Sequence, residues 1–209
     1  MRSQFGSCLP AFMKVDLDRI RTEAVSLANR DGLESLSIGE LAAALGIRPP
    51  SLYTHVDGLG AVRRLLALHG LRELEQGVAR LTAGKSGPAA IRALLNGYRQ
   101  FARNNPGVYS AMLATTDRED PERREAVERL MQTLTASLHD YAFEGPQRVH
   151  VFRCLRSLVH GFVSLETNGA LNNPVSRDES FEWMVEAFLR MLEPYARRAP
   201  AARSPGGAA

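Results

Sequence analysis

Between positions 48 and 55 the chain reads Arg-Pro-Pro-Ser-Leu-Tyr-Thr-His. Arg48, Ser51, Tyr53, Thr54 and His55 are therefore five hydrogen-bonding side chains in one short segment, with no carboxylate among them. Such side chains at the start of a helix suit phosphate oxygens and base edges in a major groove. A structural αα-corner with polar, solvent-facing residues accounts for the same pattern. Other spacings argue against catalysis. The histidines at 55, 69, 139, 150 and 160 never pair at i, i+4 and lack a Cys or carboxylate cluster to complete a metal site. Gly84-Lys85-Ser86 imitates the end of a P-loop, but position 79 is Ala79 and no strand precedes it. Gly58-Leu59-Gly60 opens a dinucleotide fingerprint that Arg63 breaks. A Gly-x-Ser-x-Gly nucleophile elbow is missing as well. No catalytic residue, cofactor or metal is expected.

The elements that must position the donors are helical, and the fold class expected is all-α with about nine helices. Apolar residues recur at helical spacing nearly throughout, without strand alternation. A first helix is predicted from Asp16 to Asp31, with Leu17, Ile20, Ala24, Val25, Leu27 and Ala28 on its core side and Gly32 ending it in the left-handed conformation. Ser37-Ile38-Gly39-Glu40 is a capping box that starts a short helix ending at Gly46. Pro49-Pro50 precedes a third helix over Ser51 to Val56, anchored by Leu52. Asp57 is placed to cap a long helix to Leu81. Further helices are predicted over 89–104, 108–114, 122–141, 147–169 and 179–195. Two short helices joined by a tight turn at Gly46 make a helix-turn-helix. The expected division is a flexible stretch at 1–13, the helix-turn-helix unit at 14–60, a larger helical unit at 61–198 and a disordered tail at 199–209.

The chain has 209 residues, enough for a sizeable core without disulfides or metals. Lys and Arg number 26 against 23 Asp and Glu, a net charge of +3 that does not by itself establish a nucleic-acid partner. Arginine outnumbers lysine 24 to 2, which favours bidentate phosphate contacts but also follows from codon bias. Cys8 and Cys154 show no CxxC spacing, the first residues lack the apolar stretch of a secretory signal, and no run approaches ~18 apolar residues. A reduced, cytoplasmic protein with no membrane partner is the expectation.

The segment from Ser37 to Val56 resembles the helix-turn-helix of TetR/AcrR-type transcriptional regulators, the Ser51-Leu52-Tyr53-Thr54-His55-Val56 run most of all. Val159-His160-Gly161 is similar to the Trp-His-Gly signature of one subgroup, with valine in place of tryptophan. The resemblance implies a homodimer on pseudo-palindromic operator DNA, with a DNA-binding set of Ser37, Arg48, Pro49, Ser51, Leu52, Tyr53, Thr54 and His55. It also implies a small-molecule effector in the C-terminal unit. Leu59 stands where the family often has a phosphate-gripping lysine, and Arg63 or Arg64 is the available substitute.

Candidate effector contacts are Tyr98, Phe101, Tyr109, Met112, Phe152, His160, Phe162 and Trp183, although residues of these types at helical spacing are more often simply core. Few buried charges are evident among them, so the effector is expected to be largely apolar. The helices at 147–169 and 179–195 are apolar on more than one stripe, which favours burial against a second chain over a central position in a monomer. Two other classes compete with a ligand-released repressor. One is a ligand-binding helical protein with a vestigial helix-turn-helix, and the other is a helical enzyme.

Overall fold

The computed structural model describes residues 15–114, 117 and 119–196; the expected flexible stretch 1–13 and tail 199–209 lie outside them. Nine α-helices and two single 3-10 turns follow one another among the described residues, with one isolated bridge between Tyr141 and Ala196.

Helix α1 (Leu17–Asp31) starts where the Asp16 carboxylate accepts the Arg19 N–H at 2.9 Å. Every fourth residue, Ile20, Ala24 and Ala28, is fully buried, while Leu17, expected beside them, is half exposed in the first turn. Gly32 ends the helix at φ 87° and ψ 154°, a mirror-β rather than the expected left-handed helical conformation, and equally a glycine region. Helix α2 (Ile38–Leu45) is capped by Ser37, whose Oγ accepts the Glu40 N–H at 3.2 Å. That hydroxyl donates in turn to the Glu40 carboxylate at 2.9 Å, so Glu40 closes the cap through the side chain. Gly46 leaves α2 at φ 70°, and the Gly46 and Ile47 N–H groups bond back to Ala43 and Ala42 at 3.0 Å each, a Schellman turn.

Helix α3 is one turn, Pro49–Leu52, rather than the expected 51–56. Both prolines lie inside it, and the extended residue that Pro49 enforces is Arg48, at φ −83° and ψ 147°. Beyond it the backbone tightens, with the His55 and Val56 N–H groups both reaching the Leu52 carbonyl. Helix α4 (Gly58–Thr82) begins at Asp57 as expected, yet the Asp57 side chain makes no capping bond.

The remaining helices are α5 (Gly87–Asn104), α6 (Pro106–Ala114), α7 (Pro121–Ala136), α8 (Gln147–Thr167) and α9 (Arg177–Leu192). Helix α7 stops short of the expected Tyr141 because Leu138, His139 and Tyr141 bond to carbonyls three residues back, which closes turns instead of a helix.

Two cores result. The first gathers Ile20, Leu41, Leu52, Val62 and Leu66 with Val108 and Ala111 from α6. The second is built from α4 to α9 around Leu74, Ile91, Leu94, Leu155 and Phe181. Helix α6 reaches α1 because Gly107 has no side chain: a Cβ there would lie 2.0 Å from the Ala28 carbonyl oxygen. Arg64 of α4 holds Asp120, the N-cap of α7, through Nε and Nη2 at 2.6 and 2.8 Å. Across the second core, Arg99 of α5 pairs with Glu166 of α8 at 3.0 and 2.5 Å, both side chains buried, and lies over the Phe181 ring at 4.5 Å.

Gly107→Ala is expected to destabilise the protein by about 1–3 kcal/mol in chemical denaturation through overpacking against backbone. Gly77→Ala, in the middle of α4 with open space around it, should instead stabilise by about 0.5–1 kcal/mol. A second expectation concerns acid. Hydrogen bonds from Arg64, then from the backbone N–H groups of Arg123 and Glu122, hold the Asp120 carboxyl below its ordinary range. A lowered carboxylate adds stability above its unfolded pKa of about 3.9 and loses it as pH falls towards the folded value. Asp120→Asn should therefore flatten the acid limb of a Tm-against-pH curve relative to the parent.

Candidate nucleic-acid interface and ligand cavity

The turn at Gly46 and the one-turn helix α3 present a continuous exposed surface: Arg48, Pro49, Ser51, Tyr53, Thr54 and His55 are all exposed, and Tyr53 is 57% so. Leu52, expected within the same set, is fully buried against the first core with Leu41 and Leu45, so it holds α3 in place rather than facing a partner. The hydroxyls differ in what they have left to offer. Thr54 Oγ1 already donates to the Ser51 carbonyl at 2.7 Å, and Ser37 Oγ to Glu40. Phosphate oxygens need donors, so Arg48, Ser51, Tyr53 and His55 are the side chains of this surface whose donors are not engaged elsewhere among the described residues.

The two arginines suggested as substitutes for a lysine at Leu59 fare differently. Arg64 of α4 is committed to Asp120, the N-cap of α7. Arg63 pairs with the exposed Glu34 at 3.1 Å, a contact that solvent screens and a phosphate can displace. Leu59 itself packs partly buried against the first core.

In the second core, α4, α5, α6, α7 and α8 enclose a cavity of about 530 Å³, within the range of small-molecule sites. Of the eight candidates from sequence, Tyr98, Met112 and Phe152 line it. Tyr109 stands behind Tyr98, edge-on at 6.0 Å between ring centres, and shares a hydrogen bond of 3.0 Å with His160 Nδ1. Burial pushes both tyrosines up, so their phenols stay neutral. Phe162 packs on Phe181 and under Arg99, and Phe101 fills the seam between the two cores. Trp183 is 71% exposed on α9 and belongs to the outer surface. Sequence reasoning missed three arginines, Arg123, Arg153 and Arg156, among the lining residues. The signal was present: Val149, Phe152, Arg153 and Arg156 stand at i, i+3, i+4 and i+7 and so share one face of α8.

A profile of the tetracyclin repressor-like C-terminal domain matches residues 91–188. The HTH-type transcriptional regulator YobS of Bacillus subtilis is 34% identical over 172 residues, 81% of this chain and 88% of its own. The regulator Rv0681 of Mycobacterium tuberculosis is 32% identical, over 86% of this chain and 83% of its own. The chain belongs to the TetR family.

Solved structures repeat the TetR fold at lower identity. A protein from Rhodococcus sp. RHA1 superposes with a TM-score of 0.72 at 21% identity, covering 88% of this chain and 98% of that one. A TetR variant from Acinetobacter baumannii, in complex with minocycline, gives 0.64 at 20%, covering 87% and 98%. Within this TetR chain, α2 and α3 are the helix-turn-helix pair. Separating their supporting from their presenting residues gives a direct test. Leu52→Ala should cost about 2–5 kcal/mol of stability, whereas Tyr53→Ala should stay within about 0.5 kcal/mol, both read by urea unfolding.

Proposed function

We propose that this TetR-family protein is a dimeric repressor that binds a pseudo-palindromic operator through residues 14–60 and is released by a small effector bound in the C-terminal unit, 61–198. The observation that carries the reading is the exposed row of donors at Arg48, Ser51, Tyr53 and His55, fixed by the buried Leu52. Tyr53 and His55 would hold backbone phosphates, with Arg48, Pro49 and Ser51 towards base edges. The family relatives are transcriptional regulators, which favours this reading over an enzyme. Its place of action is then the cytoplasm, where the DNA is; no helix among the described residues is long and apolar enough to cross a membrane.

The dimer would form through α8 and α9. Their outward surface carries Leu165, Trp183 and Met191, each 40% exposed or more, a row of large apolar groups that a lone chain leaves in water. Trp183 fits that surface better than the effector role expected of it. The operator presents two grooves about 34–36 Å apart, so a displacement of a few ångströms between the two α3 helices would stop both from docking together.

Binding to DNA from upstream of the gene and its neighbours, followed by fluorescence anisotropy across a salt series with competitor DNA, tests the reading. Tight binding that resists competitor and is lost in Tyr53→Ala is the expected result. With leucine at position 59 and Arg63 left on Glu34, the slope of log affinity against log salt should be shallower by about one ion than for relatives that carry lysine there. Absence of DNA binding by the folded protein would assign it to the ligand-binding alternative.

A further inference from the structure

The cavity between α4 and α8 has a charge pattern that its apolar residues conceal. Three arginines line it, Arg123, Arg153 and Arg156, and no acidic residue does. Several arginines elsewhere are matched: Arg64 with Asp120, Arg99 with Glu166, Arg129 with Glu125, and Arg92 with Glu182 and Glu186. None of the three cavity arginines has an ion-pair partner among the described residues. Arg123 Nε, moreover, is sealed from solvent with no acceptor at all. Three cations with no carboxylate beside them leave an uncompensated positive field in the cavity, which favours an anion.

The opposite part of the lining makes a different demand. Leu71 of α4, Leu130 and Leu134 of α7 and Leu155 of α8 offer only hydrocarbon. Tyr98, kept neutral by burial, adds a phenol but no negative charge. Helix spacing puts both kinds of group on the same surfaces. Arg123, Leu130 and Leu134 stand at i, i+7 and i+11 on α7, and Phe152, Arg153 and Arg156 cluster on α8. The site is thus amphipathic, with arginines converging from two helices.

From this pattern we infer that the effector is a small amphipathic anion: an apolar chain or ring seated among Leu71, Leu130, Leu134 and Leu155, with one carboxylate-type group held by Arg123, Arg153 and Arg156. The inference rests on the reading of this cavity as the effector site. It revises the expectation of a largely apolar effector, because a neutral molecule leaves the three arginines without a counter-charge.

The test uses the full-length protein and three probes with the same ten-carbon chain: decanoate, decanol and decylamine. Each is titrated by calorimetry and by displacement of the neutral dye N-phenyl-1-naphthylamine. Decanoate is expected to bind, decanol about 10- to 100-fold more weakly, and decylamine weaker still, given the strength of hydrogen bonds to charged groups. Arg123→Gln should bring decanoate close to the level of decanol. The double variant Arg153→Gln/Arg156→Gln should act in the same direction, and because both side chains are exposed it leaves folding intact. Arg123→Lys, which keeps the charge, should retain most of the preference. Equal affinity for decanoate and decanol, or decanoate binding unchanged in both Gln variants, overturns the anionic class while leaving the cavity as a ligand site. Failure of the dye and of all three probes to bind overturns the effector site itself.

Discussion

Asn29, near the end of α1, ties the helices of the first core to α6. The first N–H groups of any helix have no partner within it. In α6 the Gly107 and Val108 N–H groups find Asn29 Oδ1 at 3.1 and 3.2 Å, and Asn29 Nδ2 donates to Asn105 Oδ1 at 3.3 Å. A side chain of α1 thus caps α6, which contributes to both cores, at the point where Gly107 lets the two backbones close. The far side of α6 is equally tight, since a Cβ on Gly70 of α4 would meet Met112 Sδ and Val108 Cγ1 at 2.6 Å. Packed interiors deform little, so α1, α4 and α6 are bound to move together.

A second link runs from α4 to α7. Asp120 both caps α7 and takes the fork of Arg64, and Arg123 follows it in the first helical turn. One wall of the cavity is therefore fastened to α4, the long helix that follows the helix-turn-helix. On the other wall Arg99 joins α5 to α8 through Glu166 and to α9 through Asp178, under the aromatic rings of Phe162 and Phe181. Helix α5 itself packs along α4, so both walls of the cavity reach the long helix that follows the helix-turn-helix.

The all-α class and the helix-turn-helix were legible because their signals are local. A cap at Ser37, a left-handed glycine at 46 and a buried leucine at 52 each act within a few residues of themselves. The bounds of α3 and α7 were not, because proline pairs and three-residue hydrogen bonds decide them over competing periodicities. For the cavity, aromatic residues at helical spacing do not reveal whether they face a void, a neighbour or water. Tyr98 faces the cavity, Phe162 another ring and Trp183 the solvent, although all three occupy comparable helical stripes. Arginine is harder still. The same side chain caps no charge at 123, clamps a helix start at 64 and anchors a core at 99, and only the partner across space tells these apart.

This placement bears on how a regulator of this shape is switched. A ligand moves an equilibrium only by the difference in its affinity for the two states, and a swing from 1:99 to 99:1 takes about 10⁴-fold, or about 5.5 kcal/mol. Apolar contact with a preformed pocket gives little such difference, because it is satisfied in either state. Charged contacts are steeper in geometry, since a guanidinium fork loses most of its bond when its acceptor shifts or turns away. Arginines on α7 and α8 would be drawn together by one anion and relax when it leaves. The same occupant without its charge would fill the volume but exert little of that pull, so on the reading proposed above the charge, more than the fit, would couple this cavity to α4.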